Sequence, residues 1–344
     1  MKVGEYANGY LITQPFTNAG GGQSEWTFAQ KSGVSYFIKR FLKPTYPVDG
    51  GPGSERTKAD KRERCKRFEQ HHRTVERLLK PLVGTGGNLV VTKDFFRVGA
   101  HYFKVTERVE NTSLPLTAIA AMALGEKVAL MLAVSNSLSI LHRHDLVHGD
   151  LKPDNLLLRM ATPSTYAVNL IDFDNCFAAG EPPLPDDLVG DPTYYSPELM
   201  SYLTTGAGGD GVAQSSDVFA LGLVFSQYLT GQLPTGSHPG YLAESMLRGG
   251  AVSVPAAGAA AEPVQQLISR MTQRDRGLRP SIGDVVQELK AVRRTVKGLG
   301  SAPRTPAGPA GSPGLRGSLL RTTPETAPKL RGKLLGPEKK DPSR

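Results

Sequence analysis

The periodicity of the chain changes once, near Val109, and that change limits the fold more than any other feature. Before it, YLITQPF (10–16) and WTFAQKSG (26–33) flank a glycine-rich turn, and VSYFIKRF (34–41) follows a KSG turn signal. NLVVTKDFF (88–96) and HYFKVTERV (101–109) then read as a hairpin across VGA. A loop rich in Gly, Pro and charge over 44–62 leads into RCKRFEQHHRTVERLLKPL, where Phe68, Val75, Leu78, Leu79 and Leu82 mark the apolar face of a helix. After Val109 the pattern is helical. Residues 116–143 carry Val128, Leu130, Met131, Val134, Leu138 and Leu141, and SDVFALGLVFSQYLTG starts on a capping serine and stops at Gly231. Short strands, LLLRM and AVNLIDF, lie between these helices. From about Gly298 onward Pro, Gly, Ser, Thr and basic residues dominate, which predicts a disordered tail. Strands around one helix followed by a mainly helical stretch give an α+β class. The 344 residues divide as 1–109, 110–294 and a basic tail over 295–344.

Of the formal net charge of +9, +7 falls within residues 295–344, so the body is nearly neutral and offers no basic groove for a nucleic acid. The most apolar stretch, TAIAAMALGEKVALMLAV, is interrupted by Glu126 and Lys127, and the N-terminus lacks the apolar core of a secretory signal. No membrane partner and a cytoplasmic location are therefore expected. Cys65 and Cys176 stand far apart, in no metal-binding spacing, and are expected to be reduced structural thiols.

Residues 148–155 read HGDLKPDN and residues 170–175 read LIDFDN. Two acids, a lysine and an asparagine around a proline-interrupted turn make a poor helix or strand but a good place to hold a metal-bound anion. Their order resembles the protein kinase family, in its Ser/Thr branch, over roughly residues 10–290. The resemblance implies a two-lobed fold, with a small antiparallel sheet lobe carrying one helix and a larger helical lobe. It also implies ATP and Mg²⁺ as cofactors and a protein as substrate. In the catalytic loop, usually HRDLKPEN, Asp150 would orient the substrate hydroxyl and take its proton, Lys152 would neutralise the transferring phosphoryl group, and Asn155 and Asp172 would bind Mg²⁺. Lys39 in YFIK stands where the family's lysine grips the nucleotide phosphates. Its helical glutamate partner is Glu76 or Glu69, with Glu76 favoured by its distance to the next strand. Gly20, Gly21, Gly22, Trp26, Phe37, Thr106, Glu107, Val109 and Leu157 would contact the nucleotide. Ser196–Glu198 matches the APE motif, Asp217–Gly222 the DxWxxG motif, and Arg279 the arginine that pairs the APE glutamate.

The sequence also departs from the family. Ala19 and Ser24 replace two glycines of the phosphate loop, and Trp26 and Phe37, larger than the usual valine and alanine, could crowd the adenine slot. Gly149 replaces the arginine that reads a phosphorylated activation segment, and residues 175–192 contain no Ser, Thr or Tyr. Activity without loop phosphorylation is expected. Asp174 replaces the DFG glycine, and Asp191 stands where a threonine usually braces Asp150 and Lys152; it could pair with Lys152 or perturb it. Small-molecule kinases of the aminoglycoside and choline type share HGD and IDFD but lack Lys152 in its context and the SPE, DVFALG and RPS set. A pseudokinase scaffold is the reading from another class, opposed by the complete set of Lys39, Asp150, Lys152, Asn155 and Asp172. In the tail, LRGSLL (315–320) recurs as LRGKLL (330–335), which is either low-complexity drift or a pair of docking motifs for a partner protein.

Overall fold

The alternating segments of the first hundred residues assemble into an antiparallel sheet of six strands. A computed structural model describes residues 1–18, 22, 24–48, 50–51, 53–84, 88–109, 114–162 and 165–300. The strands are β1 (Tyr6–Ala7), β2 (Tyr10–Ile12), β3 (Ser24–Lys31), β4 (Val34–Phe41), β5 (Thr92–Val98) and β6 (His101–Glu107), in the order β1-β2-β3-β4-β6-β5. Side chains alternate between the two faces. Ala29, Ile38, Phe103 and Val105 join Ala7, Tyr10 and Ile12 in a small core on one side. The register sets Trp26 opposite Lys39, Phe28 opposite Phe37, Lys39 opposite Lys104 and Phe37 opposite Thr106, so these six residues share the other face.

Helix α1 spans Glu55–Leu79, eight residues more at its start than the loop expected over 44–62 allowed. Ser54 caps it by accepting a hydrogen bond from the Thr57 N–H at 3.2 Å. ERTKADKRER carries no apolar stripe, but its straight-chain charged residues have good helix propensity. Farther along, Phe68 and His72 pack against Phe41, Phe95 and Tyr102 of the sheet.

The single helical stretch expected over 116–143 is two helices, α2 (Leu116–Ala121) and α3 (Leu124–His142), because Met122 and Ala123 are extended. The Glu126 carboxylate accepts from the Ala123 N–H at 3.1 Å and starts the second helix there. By length and composition alone α3 could cross a membrane, but most of it is buried as the central helix of the core. Around it lie the pair β7 (Leu146–Val147) and β10 (Phe177–Ala178), the hairpin β8 (Leu156–Thr162) and β9 (Thr165–Leu170), and helices α4 (Pro197–Thr205), α5 (Gln214–Thr230), α6 (Leu242–Leu247), α7 (Glu262–Met271) and α8 (Ile282–Gly300). A two-stranded ribbon pairs Thr235–Gly236 with Val252–Ser253. Helix α5 begins two residues before the serine expected to cap it and ends at Gly231, whose φ of +79° closes the helix as expected. Val90 donates its N–H to the Leu170 carbonyl at 2.9 Å, tying the approach to β5 onto β9.

Helix α8 continues six residues past the boundary expected at 294, with Val296 packed over Gly125 of α3, where an added Cβ would lie 3.3 Å from the valine methyl. The rest of the tail, including both LRGxLL repeats, lies outside the described residues.

Candidate active site

The turn between β7 and β8 is held from below by one buried carboxylate. Asp217, in the first turn of α5, accepts the N–H of His148 at 2.8 Å and of Gly149 at 3.1 Å, and the His142 ring Nε2–H at 3.0 Å. It fixes two successive backbone amides of the loop, beyond any role in capping its own helix. The His148 ring donates from Nε2 to the Ile171 carbonyl at 3.0 Å, joining this loop to the segment that carries Asp172. Gly149 has φ +78°, and a Cβ there would meet the Asn175 carbonyl oxygen at 2.4 Å. No side chain fits, which accounts for the missing arginine.

Above this base, Asp150 Oδ2 accepts from Lys152 Nζ at 2.8 Å and from Asn155 Nδ2 at 3.1 Å, and its Oδ1 from the Asp191 N–H at 3.3 Å. Burial raises the Asp150 pKa, and Lys152 offsets part of that rise. Asn155 Nδ2 also donates to the Asp150 carbonyl at 2.7 Å. The Asp191 side chain accepts from the Thr193 N–H at 2.9 Å, so the ion pair of Lys152 is with Asp150 and not with Asp191.

On the sheet side the structure forms a ring of four charges. Lys39 Nζ lies 2.9 Å from Asp172 Oδ2 and 2.6 Å from Asp174 Oδ2. Lys104, its neighbour across the strands, lies 2.9 Å from Asp172 Oδ1 and also pairs with Asp174. Burial alone would raise both aspartates, but the two lysines overcome it and hold Asp172 well below the usual carboxylate range and Asp174 below it. Burial likewise opposes the charge on Lys39, yet the two carboxylates raise its pKa. Asp172 itself adopts the left-handed conformation, with φ 62°.

This ring corrects the partner expected for Lys39. Glu76 sits instead at an open pocket with Lys80, Thr92 and Asp94. Glu69 accepts from the Tyr102 hydroxyl at 2.6 Å. The side of α1 that meets the ring carries imidazoles: His72 Nδ1 is 4.0 Å from Asp174 Oδ1, and the His71 ring Nε2–H donates to the Asp174 carbonyl at 2.6 Å. Burial pushes His72 down to about 3, so it is neutral.

The sequence singled out Lys39 and Asp172 but missed Lys104. The signal was present: in HYFKVTE, Lys104 occupies the inward register of Tyr102 and Thr106, directly opposite another lysine. Two lysines facing each other in a buried layer require carboxylates.

Trp26 stacks on Phe37 with ring centres 5.5 Å apart and planes 26° apart, giving the face that carries Lys39 an aromatic roof. Thr106, Val109 and Leu157 are half-buried, while Glu107 is exposed and pairs with Lys93 at 2.7 Å. Gly22 has φ +94° with nothing within 4 Å of an added Cβ; Gly20 and Gly21 lie outside the described residues.

Farther along the chain, Arg279 grips Glu198 through both terminal nitrogens, at 2.6 and 2.9 Å, and Ser216 Oγ donates to the same carboxylate at 2.7 Å. The segment leading to Glu198 is tied to α1, with Arg67 Nε 2.8 Å from Asp187 Oδ2 and Arg64 donating to the Asp186 carbonyl at 3.1 Å.

Residues 57–289 match the protein kinase domain. Over 290 residues the chain is 27% identical to Serine/threonine-protein kinases drp72 of Corynebacterium efficiens, covering 81% of this chain and 50% of that one. It is 32% identical over 180 residues to Serine/threonine-protein kinase PAK 4 of Homo sapiens, covering 52% and 26%. With Serine/threonine-protein kinase PknD of Mycobacterium tuberculosis it shares 29% identity over 178 residues, covering 49% and 23%. The chain thus spans half or less of the length of these relatives.

Proposed function

From the premise that this chain belongs to the protein kinase family, we propose that it transfers the γ-phosphoryl group of ATP to serine or threonine hydroxyls of a protein. The observation that carries this reading is the Asp150 carboxylate, bonded at once by Lys152 and Asn155 on a loop pinned by Asp217. Asp150 would receive the substrate hydroxyl and accept its proton. Lys152, 2.8 Å from that carboxylate, would place its charge against the phosphoryl group in transit. On the opposite wall Lys39 would bind phosphate oxygens beneath the Trp26–Phe37 roof.

The donor set suits Mg²⁺. Asp172 is kept ionised by two lysines, and the Asn155 amide nitrogen is committed to Asp150, which leaves Asn155 Oδ1 as a hard oxygen ligand. Mg²⁺ held by these two residues would supply charge neutralisation at the phosphates.

A protein substrate, in preference to an aminoglycoside or choline, is supported by the buried Glu198–Arg279 pair, which shapes the segment beside the catalytic loop. Activity without loop phosphorylation is supported by Gly149 and by the carboxylate of Asp187, which already occupies the arginine of α1 that a phosphate could pair with. We further propose that the LRGxLL repeats recruit a partner protein, on the strength of five identical positions in six, and that the protein is cytoplasmic, a setting suited to its two free thiols. Incubation with labelled ATP, Mg²⁺ and, in parallel, a generic basic protein, an aminoglycoside or choline, followed by phosphoamino-acid analysis of the protein, tests the main reading. Label on serine or threonine is expected. Label found only on an aminoglycoside or choline would replace it with small-molecule transfer, and absence of nucleotide binding with a scaffold.

A further inference from the structure

We propose that Asp174 and Lys104 take over the task of the helix-borne glutamate, positioning Lys39 and Asp172 from within the sheet and the DFD turn, so that α1 contributes no carboxylate to the ring. The inference rests on the reading that Lys39 grips the ATP phosphates. Four observations support it independently of that reading.

The first is connectivity. Each lysine touches both aspartates and each aspartate touches both lysines, with Lys39 at 2.9 Å from Asp172 and 2.6 Å from Asp174, so the ring is closed. The second is charge balance. Two ammonium and two carboxylate groups sum to zero, and a further carboxylate brought in by α1 would leave the buried cluster net negative, which is costly in a desolvated site. The third is the chemistry of α1, which meets the ring through imidazoles, His72 Nδ1 4.0 Å from Asp174 Oδ1 and the His71 N–H to the Asp174 carbonyl, while Glu69 is engaged with Tyr102. The fourth is anchorage. Asp174 lies in the 3-10 turn Phe173–Asn175, and Asn175 Nδ2 donates to the Val189 carbonyl at 2.7 Å, so the turn is fixed from its far side. Lys104, only 4% exposed, is set by its strand register directly beside Lys39.

The two aspartates thereby divide the work. Were Asp172 to turn its oxygens toward Mg²⁺, Lys39 would still have Asp174 at 2.6 Å to hold its ammonium in place. Lys104 Nζ, 2.9 Å from Asp172 Oδ1, keeps that carboxylate aimed. Displacement of α1, which would separate a lysine from a helical glutamate, leaves this ring intact.

The test uses the full chain and five variants: Asp174→Asn, Asp174→Glu, Lys104→Met with Asp174→Asn, Glu69→Gln with Glu76→Gln, and Lys39→Met. Three quantities are read: the Kd of a fluorescent ATP analogue, kcat and KM for ATP, and the Tm of the nucleotide-free protein. Asp174→Asn is expected to raise Kd and KM for ATP about tenfold, the loss of one charge-assisted hydrogen bond, and Asp174→Glu to recover most of it. The paired Glu→Gln variant is expected to stay within about twofold in all kinetic constants. In the nucleotide-free protein, Asp174→Asn should lower Tm by about 5 °C or more by stranding a buried lysine, and adding Lys104→Met should restore at least half of that drop. A large loss in the Glu→Gln pair with a silent Asp174→Asn would overturn the inference, as would a Tm for the double variant no better than for Asp174→Asn alone. If Lys39→Met binds nucleotide and turns over normally, the phosphate-gripping reading fails as well. A strong Lys39→Met defect beside a silent Asp174→Asn defeats the inference alone.

Discussion

Arg279→Met offers the largest single perturbation whose magnitude can be worked from the contacts. The guanidinium is fully buried and commits every donor: Nε to the Gln273 carbonyl at 2.8 Å, Nη1 to Glu198 and the Ser215 carbonyl at 2.9 Å, Nη2 to Glu198 and the Arg274 carbonyl at 3.1 Å. Methionine fills similar space but strands the Glu198 carboxylate, of which 13% is exposed, with Ser216 as its remaining side-chain donor. Burial raises the Glu198 pKa, and it is Arg279 first and Ser216 second that bring it below the ordinary value. Removing one member of a buried pair costs about 3–5 kcal/mol, most of it the penalty of the charge left behind. Equilibrium urea unfolding should therefore show a midpoint lowered by about 1 M or more with an unchanged slope. Arg279→Met with Glu198→Leu should regain most of the loss, because the stranded charge is gone. A single-variant loss below about 1 kcal/mol, or a double variant no more stable than the single, would refute this reasoning.

Gly149→Ala places a Cβ 2.4 Å from the Asn175 carbonyl oxygen at φ +78°, so it should cost at least about 2 kcal/mol in thermal or urea unfolding and slow transfer by shifting Asp150; an unchanged midpoint would remove the steric account of the absent arginine. His72 is held neutral down to about 3 against an ordinary value of 6.5, facing Asp174, Lys104, Lys39 and His71. The unfolded chain binds its proton first as pH falls through 6.5, so stability should drop by about 1.4 kcal/mol per pH unit from there on, and His72→Phe should flatten that slope. Asp172, Asp174 and Glu198, all depressed, contribute stability that is present at neutral pH and lost only below their ordinary carboxylate range. Asp187→Asn, which unties Arg67 from the segment, should reduce transfer to protein more than it reduces nucleotide affinity, measured side by side.

Much of the fold was legible because apolar spacing carried it. The β4 strand and the β5–β6 hairpin follow from alternation, and Gly231 ended α5 where a left-handed residue was needed. The start of α1 at Glu55 was not legible, since a solvated first two turns need propensity and a cap but no apolar stripe. The break between α2 and α3 was hidden because the sequence stays apolar through Ala121–Leu124, although Ala121 and Ala123 are exposed. At the site, order and spacing singled out Asp150, Lys152, Asn155, Lys39 and Asp172, which the structure places in two groups, Asp150 with Lys152 and Asn155 and Lys39 with Asp172. The partner of Lys39 was misread because a helical glutamate was sought by spacing, whereas the neutralising carboxylate is Asp174, supplied by a residue noticed only as a lost glycine. Pairing across 135 residues leaves no periodic trace in the sequence.

The central claim is that Asp150 receives a protein hydroxyl in a site that needs no phosphate on its activation segment. Its most direct measurement is single-turnover transfer from γ-labelled ATP to a protein substrate, using chain first freed of phosphate by phosphatase treatment and verified by intact mass. Wild-type protein is expected to label the substrate on serine or threonine, with Asp150→Asn slower by about 10²–10⁴-fold and ATP affinity little changed. Equal rates for the two proteins, or transfer that disappears when the chain is dephosphorylated, would contradict the account.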